Sequence, residues 1–452
     1  MNGIVLSVSR SIARVTGAAL GPYQTAVVRV GFSATWLFFL LRELPHRSEL
    51  YGPDSPWGHD LAQQLIADNG AFTALMWSDG RTWFEIVYAL AVLSSVLLLL
   101  GWRTRTMSVL FMVGVLSLQN RSVFMGDGGD NVVHLMSIYL VLTRCGQVWS
   151  LDARRARRAA AARARGVRVV DRAGPVLWCV FGFTLVAVTA GGLLDGDWFV
   201  PALLWAVWVS LGLWWLVGRG GEGGQPRILL DVVANIVHNG ALVVIMAEAC
   251  LIYATAGWYK IQGSRWQDGT AVYYPLHLDY FSPWPALSDA LAGNGTMVML
   301  ITYGTVAVQV AFPFALFNRR VKNLLLAVMM IEHAVIAVTL GLPFFSLAMI
   351  AADAVFLPTS FLRRLGGWAA RVRGRLPGRR FPGRRSPVVF AGTADGDGQG
   401  HGPWDGGGGG GGGGRTATVP GPRAREGEGA AAAGTGAVDG KDPGPTHVGF
   451  RT

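Results

Sequence analysis

The chain has 452 residues, of which 51% are apolar and only 15% charged, with 17 tryptophans, 21 phenylalanines and a formal net charge of +11. That balance excludes a water-soluble domain and describes a multi-span membrane protein. The positive charge comes as arginine blocks between apolar runs, which makes the lipid bilayer and its acidic headgroups the expected partners and excludes nucleic acid.

Residues 1–22 form an N-terminal segment carrying Arg10 and Arg14. Ten apolar stretches follow, at about 23–44, 83–101, 107–119, 131–148, 175–194, 198–217, 236–258, 297–317, 323–341 and 344–360. Most are near the ~20 residues that cross a bilayer as a helix. The third and the last are short enough to be tilted or re-entrant within a bundle. The expected fold is an all-α polytopic transmembrane bundle of eight to ten spans over residues 23–360. No small-residue cleavage site accompanies the first apolar run, which begins near Tyr23, so it is expected to remain as a span. Cys145, Cys179 and Cys250 lie in or beside apolar runs without zinc spacing and read as buried small apolar residues.

Arginine sets the expected orientation. With a cytoplasmic N-terminus and ten spans, Arg10 and Arg14, Arg103 and Arg105, the cluster from Arg154 to Arg172, Arg219 and Arg227, and Arg319, Arg320 and Lys322 all fall inside. The outer segments then hold acids: Glu49, Asp54, Asp60, Asp68 and Asp79, then Asp127, Asp130, Asp195 and Asp197. Residues 361–452 form an Arg/Gly-rich tail, placed inside by its charge and too poor in large apolar residues to order itself. Its glycine run near 406–414 is followed by no Gly-Lys-Ser/Thr and so is not a phosphate loop. The heavy use of Ala, Gly and Arg suits a high-GC bacterial genome. The expected location is the inner (plasma) membrane, with both termini cytoplasmic.

Ionisable residues inside spans are the strongest pointers to function, because burying charge in lipid is costly. They are Arg29, His134, Glu248, Glu332, His333 and Asp353. Structural roles are open to each: Arg29 paired with Asp353 or Glu332, His134 bonded to a backbone carbonyl, Glu248 protonated. Of 39 basic residues only three are lysine, and Lys260 stands at the end of the seventh stretch, after Ala-Gly-Trp-Tyr. Arginine cannot deprotonate in a protein, whereas an ammonium among apolar neighbours can. Two readings of Lys260 stand side by side, a base or an interfacial anchor made with Trp258 and Tyr259. On a helix, Tyr253 shares its face one to two turns below, Glu248 is turned away, and His238 is more than ~30 Å distant. A partner must therefore come from another helix, with His134 and His333 the candidates. No metal-ligand spacing, nucleophile elbow or dinucleotide fingerprint is present.

The segment AGWYKIQGSRWQDGTAVYY at 256–274 resembles the signature of the vitamin K-dependent gamma-carboxylase-like family, also called the horizontally transferred transmembrane (HTTM) domain. WSLD at 149–152 resembles that family's Trp-Ser-x-Asp, and the run from Glu332 and His333 to Phe344, Phe345 and Met349 resembles its late His-containing helix. The resemblance implies that Lys260 is the active-site base that deprotonates a reduced quinone on the outer face. Trp258, Tyr259, Ile261 and Trp266 would keep that amine dry. It also implies that His333, beside Glu332, lines the reaction chamber and that Trp149, Ser150 and Asp152 mark a helix end; His134, from its depth, and Tyr253, from its helix face, are the further pocket residues expected. The family's carboxylases carry a large β-rich lumenal domain that holds the substrate propeptide, and the glycine-rich tail stands in its place here. The expected function is accordingly a carboxylase-like or quinol-dependent modification of a secreted peptide or lipid-soluble quinol. The alternative is a non-catalytic module assisting export or maturation of a partner, such as a secreted peptide or a thiol-oxidoreductase-like protein. A small-solute transporter fits less well, since no internal repeat or paired broken helices are evident.

Overall fold

The computed structural model describes residues 2–167, 171–194, 198–218 and 224–375, and among them every regular element is helical. In chain order these are α1 (Asn2–Gly17), α2 (Pro22–Glu43), α3 (Arg47–Leu50), α4 (His59–Asn69), α5 (Arg81–Leu100), α6 (Thr104–Arg121), α7 (Gly128–Leu142), α8 (Leu151–Arg163) and α9 (Ala173–Ala190). The second half holds α10 (Phe199–Gly218), α11 (Gln225–Gln262), α12 (Ser264–Gln267), α13 (Tyr273–Leu276), α14 (Pro285–Ala292), α15 (Gly295–Ala315), α16 (Arg319–Thr339), α17 (Pro343–Asp353) and α18 (Thr359–Arg375). Contacts divide the chain into residues 1–380 and 381–452. The second unit, the tail from 376 with its glycine run, and Arg168, Asp195, Asp197 and Arg219 lie outside the described residues.

All ten apolar stretches are helical, but only seven helices are long and apolar enough to cross a membrane alone, α2, α5, α9, α10, α11, α15 and α16. Eight result if α17 and α18, bent by 115° at their junction, count as one broken span. Ten is the upper end of the expectation, and three stretches fall short of it among the described residues. The 18 residues of α6 are long enough but not apolar enough, with Arg105, Gln119, Asn120 and Arg121 among them. At ~1.5 Å per residue, the 15 residues of α7 and 11 of α17 reach only about 22 and 16 Å. Such helices survive at membrane depth only where other helices cover their ends. They are covered here: Val133, Met136 and Leu140 of α7 and Ala348, Met349 and Ala352 of α17 join Phe32, Trp36 and Leu40 of α2 in one core. A Cβ on Gly31 of α2 would meet the Cβ of Ala351 at 2.5 Å, so small residues bring the two backbones together.

Local signals explain the helix ends. Asp127 and Asp130 form a reciprocal capping box on α7, and Asn294 and Asn318 cap α15 and α16 with their side chains. The boundary expected at 361 falls inside α18, which keeps an amphipathic helix in the first residues of the presumed tail. Cys179, expected to be buried, is exposed on α9.

Arg29 takes neither acid partner expected for it. Its guanidinium donates to the carbonyls of Leu98, Leu99 and Trp149. These carbonyls belong to one knot. Ser150 caps α8 by accepting from the Ala153 N–H at 2.9 Å, and Asp152 accepts from the backbone N–H groups of Arg103 and Thr104 at 2.9 and 2.8 Å. Both Arg103 and Trp149 adopt left-handed backbone conformations, with φ of 47° and 51°. The WSLD motif and the intramembrane arginine thus lock the α5–α6 turn to the α7–α8 connection, a structural use of charge.

Candidate functional site

Lys260 sits one turn from the end of the 38-residue α11, half-buried, where its amine donates to Gln309 Oε1 of α15 at 2.7 Å. The Gln309 amide in turn donates to Glu332 Oε1 of α16 at 2.9 Å. Gly257, one turn before the lysine, makes this approach feasible: a Cβ there would meet Val310 Cγ2 at 2.7 Å. Pro313 adds a second local cause, because it has no N–H for the carbonyl of Gln309, four residues earlier in α15. Above the amine lies the Trp266 ring, 5.2 Å from centroid to nitrogen.

His333 follows Glu332 on α16 and therefore faces a different neighbour. Its Nε2 lies 3.1 Å from the Tyr253 hydroxyl of α11, seven residues and about 10 Å below Lys260. Phe312 and Phe345 flank the pair edge-on. His333 is 2% exposed and its Nδ1 has no hydrogen-bond partner among the described residues. The fully buried Asp353 carboxyl stands beside the same tyrosine, within hydrogen-bonding reach of the Tyr253 hydroxyl and within electrostatic reach of Glu332. Four helices thus converge: α11 supplies Lys260 and Tyr253, α15 Gln309, α16 Glu332 and His333, and α17 Asp353.

Lys260, Tyr253, Trp266, Glu332 and His333 are brought together as the sequence suggested, but three other expectations need correction. His134 is elsewhere. It bonds to Gln119 of α6 at 3.1 Å and lines a separate small cavity of about 150 Å³ with Trp36, Tyr51 and Asp130. Its depth was a fair guide, but α7 packs between α2, α6 and α17, so the ring faces another interface. Trp258 and Tyr259 do not shield the amine: they are 61% and 74% exposed. Successive helical residues are rotated by ~100°, so the immediate neighbours of an inward lysine point away from it. The partner of Lys260 is an amide, not a histidine. Gln309 is the residue that sequence reasoning missed, although a lone glutamine among Val306–Phe312 in an apolar helix was a readable signal. Glu248 accepts from Tyr139 of α7 at 3.1 Å, and His238 is held by Leu20 and Arg144 far down α11, so neither reaches the site.

The arrangement handles protons. The Lys260 and Glu332 side chains are neutral together as ammonium and carboxylate, and equally as amine and carboxylic acid. A shift between those states leaves the net charge of the low-dielectric span unchanged. Among the described residues no three His, Cys, Asp or Glu side chains gather closely enough to hold a metal ion.

No family model matches this chain. No solved structure matches it. The uncharacterized protein YitO of Bacillus subtilis (strain 168) is 31% identical over 110 residues. That stretch is 24% of this chain and spans only 35% of YitO, whose name states no activity.

Proposed function

We propose that the chain is a multi-pass membrane protein of the HTTM type, with Lys260 as a general base acting at the outer face of the inner membrane on a lipid-soluble quinol or a secreted peptide. The observation that carries this reading is the Lys260–Gln309–Glu332 relay beside the Tyr253–His333 pair, within apolar stretches of α11, α15 and α16. An anchor lysine would snorkel to water, whereas this one turns inward and is held by a buried amide.

The residues present fit a reduced quinone. Trp266 offers a ring face beside the amine, and His333 Nδ1 is a buried polar atom with no partner among the described residues. Such a group, when bound, would supply an acidic ring hydroxyl and two electrons. Lys260 would take a proton at Nζ, Gln309 would hold that nitrogen in place, and Glu332 would balance the charge that results. Tyr253 and His333 would orient the lower edge of the chamber, and the aromatic rings of Phe312 and Phe345 would keep water from it.

The cytoplasmic placement of the N-terminus belongs to the same reading. It rests on Arg103, Arg144, Arg227 and Lys322 lying at the opposite end of the helices from Lys260, as the positive-inside rule asks. A rival reading draws on the exposed aromatic residues at the end of α11 and beyond it, Tyr259, Tyr280 and Trp284, which suit a docking surface for an exported partner.

Replacing Lys260 by Arg separates the two, since it keeps the charge and removes the base. Purified protein in nanodiscs is supplied with a reduced naphthoquinone and oxygen uptake is followed. Uptake above empty nanodiscs for the native chain, and at background for a normally inserted Lys260→Arg variant, is the expected result. Equal uptake in the two proteins, or none in the native chain, would remove the base from the account and leave the docking module.

A further inference from the structure

The opposite end of the bundle holds a cavity of about 950 Å³ between the start of α6, the end of α7, α8, the α9–α10 hairpin and the start of α11. Its lining includes seven arginines and two aspartates. The aspartates are already engaged: Asp171 pairs with Arg103, and Asp152 accepts from the backbone of residues 103 and 104. A third acid, Asp231, bonds to both Arg144 and Arg227 at 3.2 Å. Positive charge is left in excess.

Three of those cations gather on one indole. The guanidinium carbons of Arg105 and Arg227 each lie 4.3 Å from the Trp214 ring centre, and that of Arg144 lies 5.5 Å away. Among the described residues one carboxylate, Asp231, bonds two of the three, Arg144 and Arg227. Stacking on an indole face compensates only part of the mutual repulsion of three guanidiniums in a shielded space. Arginine forks match phosphate oxygens in geometry as well as in charge. The Nε of Arg103, at the same rim, is buried without a partner among the described residues.

Beyond Thr104, Thr106 and Gln147, the rest of the lining is largely apolar. Leu177, Phe181 and Leu211 face the cavity with Trp178, which stacks on Trp208 at 4.6 Å, each indole N–H donating to the other's backbone carbonyl. A soluble phosphate has no use for such a wall and fills little of the volume, whereas an acyl chain needs both. Basic pockets between transmembrane helices on the positive side are suited to anionic headgroups.

We propose that this cavity binds an anionic phospholipid, its phosphate held by Arg105, Arg144 and Arg227 around Trp214 and its chain laid along Trp178 and Leu211. The site is independent of Lys260 and stands whatever that residue does.

The test uses the full chain in neutral detergent. Native mass spectrometry compares retention of phosphatidylglycerol and phosphatidylcholine with the same acyl chains, and peptide mapping follows alkylation of Cys179, which lines the cavity and is exposed. Phosphatidylglycerol should be retained about 10-fold or more over phosphatidylcholine and should slow Cys179 alkylation. The Arg105→Gln/Arg227→Gln protein should lose that preference. Should that variant fail to fold, Cys179 protection in the native chain decides alone. Equal retention of the two lipids, an undiminished preference in a folded double variant, or no protection of Cys179 overturns the proposal. Inorganic phosphate at millimolar concentration is the control. Protection by phosphate as strong as by lipid would overturn the lipid as occupant and assign the arginines to a soluble phosphate compound.

Discussion

Around Lys260 one cation meets one carboxylate through a buried amide, while around Trp214 three guanidiniums gather and Asp231 bonds two of them. The same helix, α11, carries Arg227 near its start and Lys260 near its end, about 50 Å apart along the axis. The difference teaches how this chain divides its cations. On the two proposals, the arginines supply permanent charge for an anion to neutralise, and Lys260 supplies a proton site with a carboxylate near enough to take up the change.

The sharpest way to break this contrast is to exchange the two cation types. Lys260→Arg should lower quinol-dependent turnover by about 100-fold or more, the usual scale for losing a general base. Arg105→Lys should weaken the lipid preference in the same preparations, because an ammonium lacks the fork and the flat face that stacks on Trp214. A Lys260→Arg protein as active as the native chain, or an Arg105→Lys protein with its full preference, would erase the distinction.

Arg29 is a third kind of cation, with a scaffold role. Replacing it by Met leaves the carbonyls of Leu98, Leu99 and Trp149 without their donor and should destabilise the protein by about 3 kcal/mol, read as a lowered thermal midpoint in detergent. A midpoint unchanged in Arg29→Met would mean that the knot is not what holds the α5–α6 turn. Gly257→Val tests the lysine site through its backbone. The added side chain meets Val310, so about 2 kcal/mol of stability and the Lys260–Gln309 contact should go together, with Gly257→Ala milder in both.

The smallest effect belongs to the rim of the arginine cavity. Hydrogen bonds from Arg103 hold the Asp171 carboxyl at about 2, below the ordinary carboxylate range, and the pair is half exposed. A depressed carboxyl stabilises the fold above its unfolded value near ~3.9 and loses that contribution as pH falls toward the folded value. Asp171→Asn should therefore lower stability by roughly 0.5 kcal/mol at pH 6 and by nothing measurable near pH 2. A difference that persisted in acid would show that Asp171 acts through packing.

Much of the architecture was readable along the chain, because twenty apolar residues in a row have few alternatives to a helix. Part of the lysine site was readable too. Lys260, Tyr253 and His333 stood out as polar or titratable groups in hydrocarbon, and helical rotation put the first two on one face. Gln309 escaped because it carries no charge, and Asp353 was noticed but given the wrong partner. His134 shows why: depth in the membrane follows from counting residues, whereas the direction a side chain faces follows from which helices pack against its own. Trp214 carries the same lesson, since nothing in the spacing of Arg105, Arg144 and Arg227 says that one indole would collect all three.

Local chemistry was enough to specify helices, their capped ends, the segregation of arginine from acid and the singular lysine, since each depends on residues within a few turns of one another. Tertiary packing decided which helices are too short to cross alone, that Gln309 links Lys260 to Glu332, and that a basic cavity opens beside the α9–α10 hairpin. Those features join residues up to 109 positions apart, and close approaches of helices such as the one at Gly257 bring distant groups within bonding range.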